Sequence, residues 1–460
     1  MSRQIIIDPI TRTSSRGHVE VTIEQGKVVA ARLSTLFFRG FEIMLRGRDP
    51  RDAPYLTQRI CGICAAGHAT AAAYALEDLA GVRPPRNGHL LRNLILTADT
   101  LQNHIRHFYL FAMPDFVRGP ERSPFIPRYR HGYRLAPKIE TRLMEHYFEA
   151  VKVSRIAHEF LAALGGKAPF VHGILPGGAT VPPDGALVLD LRAKLDTIGR
   201  FIKEKMVSDL QTVSEAYREY YKFGRRPLRI LVHGFLPVDP ERKRFHFPTG
   251  VVEEDGTKEL DASAIAEHLR HAYFKEDAGP QPAGQQETTP QPGKSGAYSW
   301  IKAPRYNGRP FEGGPLARLW VAGCYRRGIS AMDRLTARVK ETEILCGLMK
   351  EWLEELAPGE PVFTPFKPPK SGEGLGLTDS MRGPLLHYVQ VEGGRISRYE
   401  IITPSAWNFS PRDDAGRPGP VEEALLGTPV ADPGEPIEIG RIIRSFDPCF
   451  SCATHIIQKE

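Results

Sequence analysis

Two short cysteine motifs lie at opposite ends of the chain, and each is followed by a histidine. The residues are Cys61, Cys64 and His68 in RICGICAAGH, and Cys449, Cys452 and His455 in DPCFSCATH. A C-x-x-C pair at the start of a helix places two sulfurs within reach of one metal ion, and the helix N-terminus favours the thiolate form. The histidines suit hydrogen-bond donors to a thiolate, or ligands of a neighbouring ion. The motifs therefore indicate metal or redox chemistry.

The wide separation of the two pairs leaves simpler interpretations open. A structural zinc site has four such ligands, but its pairs are usually close in sequence, whereas nearly the whole chain separates Cys64 from Cys449. Two independent dithiol pairs are a second alternative, although no thioredoxin-like pattern surrounds either one. Unrelated buried thiols are a third. If all four sulfurs meet in the folded chain, soft ligands of this kind suit nickel, copper, zinc or iron.

Composition excludes several classes of protein. The 460 residues are 41% hydrophobic and 25% charged, which is typical of a globular protein, and a net charge of +7 is too small to indicate nucleic acid. There is no G-x-G-x-x-G motif and no P-loop, so we expect no nucleotide site. No apolar run reaches the roughly 18 residues of a membrane span, and the N-terminus does not have the pattern of a signal peptide. We expect a cytoplasmic protein, or one that is exported or membrane-associated only as the passenger of a partner.

The elements that must position these motifs are mainly long helices. Apolar periodicity predicts four of them, which need one another's apolar faces and therefore form a bundle, at 88–112, 139–164, 186–222 and 316–356. Cys324 and Cys346 fall inside the fourth helix without a motif, and we expect both to be core residues.

Strands are predicted at the edges of this bundle. Alternating residues on either side of Gln25-Gly26 predict a hairpin near the N-terminus, and residues 385–402 predict a second one that turns at Gly393-Gly394. The stretch at about 275–296 is rich in Pro, Gly and Gln and predicts an exposed, flexible insertion. The expected fold is α+β and mainly helical, a single domain over residues 1–460 with a central long-helix bundle and peripheral β hairpins.

With both cysteine motifs, the sequence resembles the large subunit of a [NiFe] hydrogenase, which carries RICGIC-x-x-x-H near its start and DPC-x-x-C-x-x-H at its end. The resemblance covers essentially the full length. Further matches are DPITR at 8–12, FRGFE at 38–42, HFY at 107–109, YSWIKAPRY at 298–306, GPLAR at 314–318, RG-x-L-x-H-Y at 382–388 and PSAWN at 404–408.

The resemblance implies a nickel ion held by all four motif thiolates. Cys64 and Cys452 would also bind an iron that carries cyanide and carbon monoxide, while Cys61 and Cys449 would bind nickel alone. The implied reaction is the reversible heterolytic cleavage of dihydrogen into a hydride and a proton, with Cys449 accepting the proton.

Three further residues have roles by the same resemblance. Arg382 would hold its guanidinium over the open metal position, Asp447 would hold that arginine by a charge-assisted pair, and His68 would donate to a bridging sulfur. A magnesium ion is also implied, bound by Glu42, by a backbone carbonyl near Ile401 and by His455.

The resemblance also implies partners. The sequence has no cysteines left for iron–sulfur clusters, so an iron–sulfur small subunit would carry the electrons. Proteins that insert nickel and iron would load the centre, and a maturation protease would then remove IIQKE after His455.

The sequence departs from the family pattern near the N-terminus. The family has T-R-x-E-G-H, whose glutamate passes protons to solvent, whereas this chain has TRTSSRGH, with Arg16 before Gly17. Arginine cannot replace a proton-carrying carboxylate, so Ser14 or Ser15 is a candidate carrier. The other departures are Asn103, Met381 and Phe170, where the family often has aspartate, proline and histidine.

Two other functions remain as alternatives. The first is a slow hydrogen-sensing relative with the same metals, which the missing carboxylate favours, although His68 favours an enzyme. The second is a non-catalytic structural protein whose ends are joined by zinc.

Overall fold

The structure is a computed structural model that describes residues 2–276 and 279–453, with the backbone alone for Cys452 and Ala453. The helices before the C-terminal sheet are α1 Phe41–Leu45, α2 Ala53–Thr57, α3 Ala65–Ala80, α4 Arg86–Arg106, α5 Pro137–Gly165, α6 Gly185–Phe201, α7 Val207–Ala216, α8 Pro315–Val321 and α9 Ala331–Glu355. The C-terminal helices are α10 Pro404–Asn408, α11 Pro420–Leu425, α12 Ile437–Ser445 and α13 Phe450–Ala453.

The strands belong to small, separate sheets. The two larger sheets contain β1 Ser2–Ile7, β2 Gly17–Glu24 and β3 Lys27–Thr35 at the N-terminus and, as numbered along the chain, β14 Gly372–Ser380, β15 Gly383–Glu392 and β16 Arg395–Ile402. The strands between them are β4 Ile174–Leu175, β5 Gly178–Ala179, β6 Ile230–Val232, β7 Phe235–Pro237, β8 Phe245–Phe247, β9 Gly250–Glu253, β10 Gly256–Lys258, β11 Ile265–His268, β12 Gln281–Pro282 and β13 Ala303–Tyr306.

Four long helices form the predicted bundle. Helix α4 packs against α5 and α9, and α6 packs against the same two helices. Apolar residues of all four helices belong to one core cluster, although α4 is buried on every side and its polar residues are buried with it. A π-helical segment at 202–206 joins α6 to α7, so the third predicted helix continues to Ala216 with little interruption. The mixed helix and strand content confirms the α+β class.

The fourth predicted helix, 316–356, is wrong as a single element. Helix α8 ends before a loop in which Gly323 has a φ of 74°, a left-handed conformation that stops a helix. Helix α9 then begins with a capping box. The Ser330 side chain accepts a hydrogen bond from the Asp333 amide, and the Asp333 carboxylate accepts one from the Ser330 amide.

This break changes the position of one cysteine. Cys324 lies in the loop between α8 and α9 and is exposed, so the expectation that it is a core residue is wrong. Cys346 lies inside α9 and is buried, as expected.

The N-terminal sheet contains the predicted hairpin. Strands β2 and β3 turn at Gln25 and Gly26, whose φ values of 49° and 75° match the twist of a tight two-residue turn. Strand β3 packs against α11. The start of the chain therefore lies beside its C-terminal helices.

The C-terminal sheet contains the second predicted hairpin and one strand that the sequence did not indicate. Strands β15 and β16 turn at Gly393-Gly394 as predicted, and β14 completes the sheet. The sequence did not predict β14 because the strand contains Gly374 and Gly376, and glycine is unfavourable in strands. A Cβ at either position would lie 2.1 Å from a carbonyl oxygen of α3, at Ala75 or Ala71. These glycines let the sheet lie directly on α3.

The segment expected to be an exposed insertion is partly packed. In it, β12 pairs with β11, and Gln286 and Thr288 are buried. Thr288 donates to the carboxylate of Glu42, so this part of the segment contributes to the interior.

The helices in residues 2–276 and 279–453 include none with the length and apolar character that crossing a membrane requires.

Candidate metal centre

The N-terminal cysteine pair lies at the start of α3. Cys64 is the residue immediately before the helix, and both Cys61 and Cys64 are buried. The Ile63 amide donates to the sulfur of Cys61 at 3.3 Å, and the Ala66 amide donates to Asp99 of α4 at 3.2 Å. Short-range geometry around a helix N-terminus therefore sets this pair.

Cys449 lies between α12 and α13 and is held by the N-terminal segment. The hydroxyl of Ser14 donates to the Cys449 sulfur at 3.0 Å, and the Ser451 amide donates to the Ser14 carbonyl at 3.1 Å. The buried ring of Phe450 packs against Gly17, where a Cβ would lie 2.8 Å from the ring. Residues from the opposite end of the chain thus fix this cysteine.

The folded chain brings thiols from both ends together. The sulfurs of Cys61 and Cys449 lie 3.1 Å apart, and those of Cys61, Cys64 and Cys449 all lie within 4.8 Å of one another. The side chain of Cys452 lies outside the described residues. Three buried thiols at this spacing form a soft-metal site, with room in the ligand set for a fourth.

Arg39 connects the two halves of this cluster. Its guanidinium donates to the carbonyls of Arg59, at 3.0 Å, and of Ile60, directly before Cys61. It also donates to the carbonyl of Ser451 at 2.5 Å. One side chain therefore holds the backbone of both cysteine segments.

Arg382 occupies a two-residue turn between β14 and β15. It pairs with the Asp447 carboxylate at 3.1 Å and donates to the Asn103 side-chain oxygen at 2.6 Å. The Asn103 amide donates in turn to Asp447 at 2.7 Å. Asp447 has a φ of 59°, a strained conformation for a residue other than glycine, and such strain is common at functional sites.

The charges around Arg382 are buried but mutually compensated. Burial alone would lower the pKa of Arg382, but Asp447 and the thiols of Cys449, Cys64 and Cys61 raise it well above its usual value. Burial would raise the pKa of Asp447, but Arg382 and neighbouring cationic groups lower it to about 2. Both groups therefore remain charged.

His68 lies on the first turn of α3. Its ring is 1% exposed, and burial lowers its pKa to about 4, so it is neutral near pH 7. The Nδ1 atom is 3.1 Å from Nε2 of His387.

Two buried polar atoms near the thiols have no hydrogen-bond partner among the residues that the structure describes. They are Nε2 of His68 and Nη1 of Arg382. The His68 amide donates to the Cys64 carbonyl at 3.4 Å, and Arg382 Nε donates to the carbonyl of Asp447, two residues before Cys449, at 3.1 Å, so both side chains lie close to the cluster. Unsatisfied buried donors are rare, and these two would face the ligands of a bound metal centre. The residues present therefore fit such a group.

Similarity to known proteins decides the family. Residues 39–120, 112–328 and 323–455 match the family model for nickel-dependent hydrogenase. The chain belongs to the nickel-dependent hydrogenase family. It is accordingly a hydrogenase large subunit, an oxidoreductase with a nickel–iron type of centre.

Individual relatives match over almost their full lengths. The periplasmic [NiFeSe] hydrogenase large subunit of Desulfomicrobium baculatum is 37% identical, with 99% of this chain and 96% of that protein aligned. The hydrogenase-2 large chain of Escherichia coli K12 is 29% identical, over 100% and 98%. The Ni-Fe-Se hydrogenase from D. vulgaris Hildenborough in the reduced state superposes with a TM-score of 0.97 at 40% identity, covering 99% of this chain and 100% of the other. This hydrogenase has cysteine at all four motif positions, whereas two of those names include selenium.

The predicted magnesium ligands divide between described and undescribed residues. Glu42 is 7% exposed, accepts the Ile401 amide at 2.8 Å, and pairs with Lys302 at 3.2 Å. A cavity of about 50 Å³ adjoins Glu42, Glu267 and Ile401. His455 lies outside the described residues.

The residues that depart from the family pattern differ in their burial and in their contacts. Ser14 contacts the Cys449 sulfur, whereas Ser15 is exposed. Met381 is fully buried next to Arg382. Phe170 lies beside Gly62 and under the Arg59 guanidinium, at 4.1 Å from its ring centre.

Arg39, His387 and Tyr399 contribute to the site, but sequence reasoning gave them no role. Arg39 and His387 lie within motifs that carry the family resemblance, FRGFE and RG-x-L-x-H-Y, which was the only available signal. Tyr399 lies in the predicted hairpin and in none of the motifs that carry the family resemblance. Their contacts depend on the tertiary fold, which residue spacing does not disclose.

Proposed function

We propose that this large subunit cleaves dihydrogen reversibly and heterolytically at a nickel–iron centre held by Cys61, Cys64, Cys449 and Cys452. The observation that carries the proposal is the meeting of buried thiols from opposite ends of the chain. Nothing in a structural zinc site would require the strained Asp447 or the buried, compensated cation of Arg382 beside the sulfurs.

Family resemblance supplies the finer assignment. Cys61 and Cys449 would bind nickel, and Cys64 and Cys452 would bind nickel and also an iron that carries cyanide and carbon monoxide. Such a centre would supply the electrophile that polarises dihydrogen and takes its electron pair.

The chain's own residues handle the proton. Cys449 accepts it, because its sulfur already lies in a hydrogen bond with the partly exposed hydroxyl of Ser14. That hydroxyl is the first group through which the proton leaves in place of the family's carboxylate. Proton transfer between the Cys449 sulfur and the Ser14 hydroxyl does not require the serine to carry a permanent charge.

Arg382 and His68 prepare the site before dihydrogen enters. Asp447 and Asn103 fix the Arg382 guanidinium, so that its unsatisfied Nη1 faces the open position at low entropic cost. Nε2 of His68, which has no partner among the described residues, would donate to a metal-binding sulfur. Asp447 acts by holding Arg382 in place.

A magnesium ion is bound near the C-terminus by Glu42, the Ile401 carbonyl and His455. The cavity beside Glu42 and Ile401 has room for a few waters, which magnesium usually retains. Lys302 and Glu267 would contact those waters.

The electrons leave through an iron–sulfur small subunit. Of the six cysteines, only Cys324 and Cys346 lie outside the two motifs, too few for a cluster that needs four. Proteins that insert nickel and iron, and a protease that removes IIQKE, complete assembly. The hydrogenase is cytoplasmic, or reaches another compartment or a membrane as the passenger of its small subunit.

Metal analysis of cysteine variants tests this proposal. Nickel and iron per chain should each be close to one in the purified complex, and infrared bands of cyanide and carbon monoxide should be present. Cys61→Ser and Cys449→Ser should lose most of the nickel, and Cys324→Ser, outside the cluster, should retain it. Zinc without nickel in the wild-type complex would instead support a structural metal site.

A further inference from the structure

A row of three buried polar side chains leads away from the metal centre. His68 Nδ1 lies 3.1 Å from His387 Nε2, and His387 Nδ1 lies 2.8 Å from the Tyr399 hydroxyl. The three residues are exposed by 1% or less. Such a network is strong only when each donor meets an acceptor.

The fold explains why the three groups meet. His387 lies opposite Ile401 in the ladder between β15 and β16, which places Tyr399 diagonally next to it on the same face. On its other side His387 lies opposite Gly376, one of the glycines that bring the sheet onto α3. The close approach places the His387 ring within reach of His68.

The central group of the row, His387, is a neutral imidazole. Burial together with the neighbouring His68 lowers the pKa of His387 well below its usual value. Burial raises the pKa of Tyr399, so its hydroxyl remains protonated. A neutral imidazole has one donor and one acceptor nitrogen, so the whole row has only two self-consistent arrangements.

The metal-binding sulfurs select between the two arrangements. Thiolates only accept hydrogen bonds, so the proton of His68 belongs on Nε2, the atom that has no other partner in the described part of the chain. Nδ1 of His68 must then accept from Nε2 of His387. Consequently Nδ1 of His387 accepts from the Tyr399 hydroxyl. In the opposite arrangement a lone pair of His68 would face the anionic sulfurs.

We propose that His387 and Tyr399 are positioning residues that hold His68 in the tautomer whose Nε2–H is directed at the metal centre. The inference rests on the proposed nickel–iron function and adds two residues to it. Neither residue touches the sulfurs in this role. They act by fixing the orientation and the donor atom of His68, as residues behind metal ligands commonly do.

The midpoint potential of the nickel centre tests the inference, because a hydrogen bond to a thiolate weakens its electron donation and so raises the potential. Tyr399→Phe and His387→Leu should lower the potential in the loaded complex, without loss of nickel or iron. His387→Gln should keep the wild-type potential, because its amide can donate to His68 while its oxygen accepts from Tyr399.

The matched control is Tyr388→Phe, which removes a hydroxyl from β15, the strand that pairs with the strand of Tyr399. Tyr388 donates to Glu373 at 2.6 Å and belongs to a different apolar cluster from Tyr399. Its potential should equal that of the wild type. Wild-type potentials in fully loaded Tyr399→Phe and His387→Leu would overturn the inference and leave the proposed function intact. Absence of nickel from the wild-type complex would overturn the proposed function itself.

Discussion

The two halves of the metal centre are built in different ways. Cys61 and Cys64 are set by the start of α3, a helix of sixteen residues that is buried in the protein. Cys449 precedes α13, which the structure describes over Phe450–Ala453, and depends on Ser14, Gly17 and Arg39 from the other end of the chain. One half therefore forms with its own helix, whereas the other forms only when distant segments have already packed.

This difference fits an assembly in which the C-terminus is placed last. In such an assembly the N-terminal pair would meet the metal ion first, and Cys449 and Cys452 would be added when the C-terminal segment packs. Any change that loosens the contacts of Ser14, Gly17 or Arg39 should therefore act on metal retention more than on overall folding.

Amide hydrogen exchange in metal-free protein should give the largest contrast. The amides at 65–70 in α3 should exchange slowly, and those at 450–453 should exchange roughly a thousandfold faster, since local opening of a short end segment needs little free energy. Mass spectrometry of peptides from both regions measures this. Equal protection of the two regions from amide exchange would contradict the conclusion that the two halves of the centre form in different ways.

Replacement of Arg39 by Met should have the next largest effect. It removes a charged donor from three carbonyls, for a loss of about 2–3 kcal/mol, and we expect nickel to be lost to a chelator roughly 30- to 150-fold faster.

Arg59→Met is the matched control for Arg39. The Arg59 side chain is exposed and stacks on Phe170, so nickel retention should change little. If both variants retain nickel equally well, Arg39 does not connect the two halves.

Gly17→Ala should weaken the C-terminal half more moderately. The added methyl group would lie 2.8 Å from the Phe450 ring, and we expect a cost near the lower end of the overpacking range, about 1–1.5 kcal/mol or roughly 5- to 12-fold in nickel retention. Gly199→Ala makes the same chemical change on α6 in open space, where alanine stabilises a helix by about 0.5–1 kcal/mol. Thermal unfolding and nickel content separate the two effects. Full retention in Gly17→Ala would show that the Phe450 contact is unimportant.

Ser14→Ala should have the smallest effect on retention. It removes one hydrogen bond to the Cys449 sulfur, worth about 1 kcal/mol or roughly fivefold in the rate of nickel loss. It should also slow hydrogen–deuterium exchange by the loaded complex, since the proposed proton route begins at this hydroxyl. Ser15→Ala, at an exposed position, should leave both quantities unchanged. Slower exchange in Ser15→Ala alone would place the proton route elsewhere.

Much of the fold was predictable because its helices are long and amphipathic. The periodicity in α5 and α6 reflects burial on one face, and the Gln25-Gly26 and Gly393-Gly394 turns have strong local preferences. The sequence did not predict β14. Gly374 and Gly376 allow this strand to lie directly against α3, and such a tertiary contact leaves no pattern in the local sequence. The break before α9 was missed because apolar spacing continues across the loop around Gly323.

At the metal centre, the sequence motifs identified the cysteines. The residues that hold those cysteines in place could be identified only from the fold. Cys61 and Cys449 were found from residue type and spacing. The contacts of Ser14 with Cys449, of Arg39 with Ser451 and of His387 with His68 join residues that are remote in sequence, so spacing alone carries no sign of them. Their positions follow from strand register and from the close packing of glycines.

X-ray diffraction from crystals of the loaded complex, recorded at the nickel absorption edge, tests the central claim most directly. We expect one nickel peak bounded by the sulfurs of Cys61, Cys64 and Cys449, with Cys452 as the fourth ligand. A nickel peak away from these sulfurs, or only a zinc peak between them, would contradict the account.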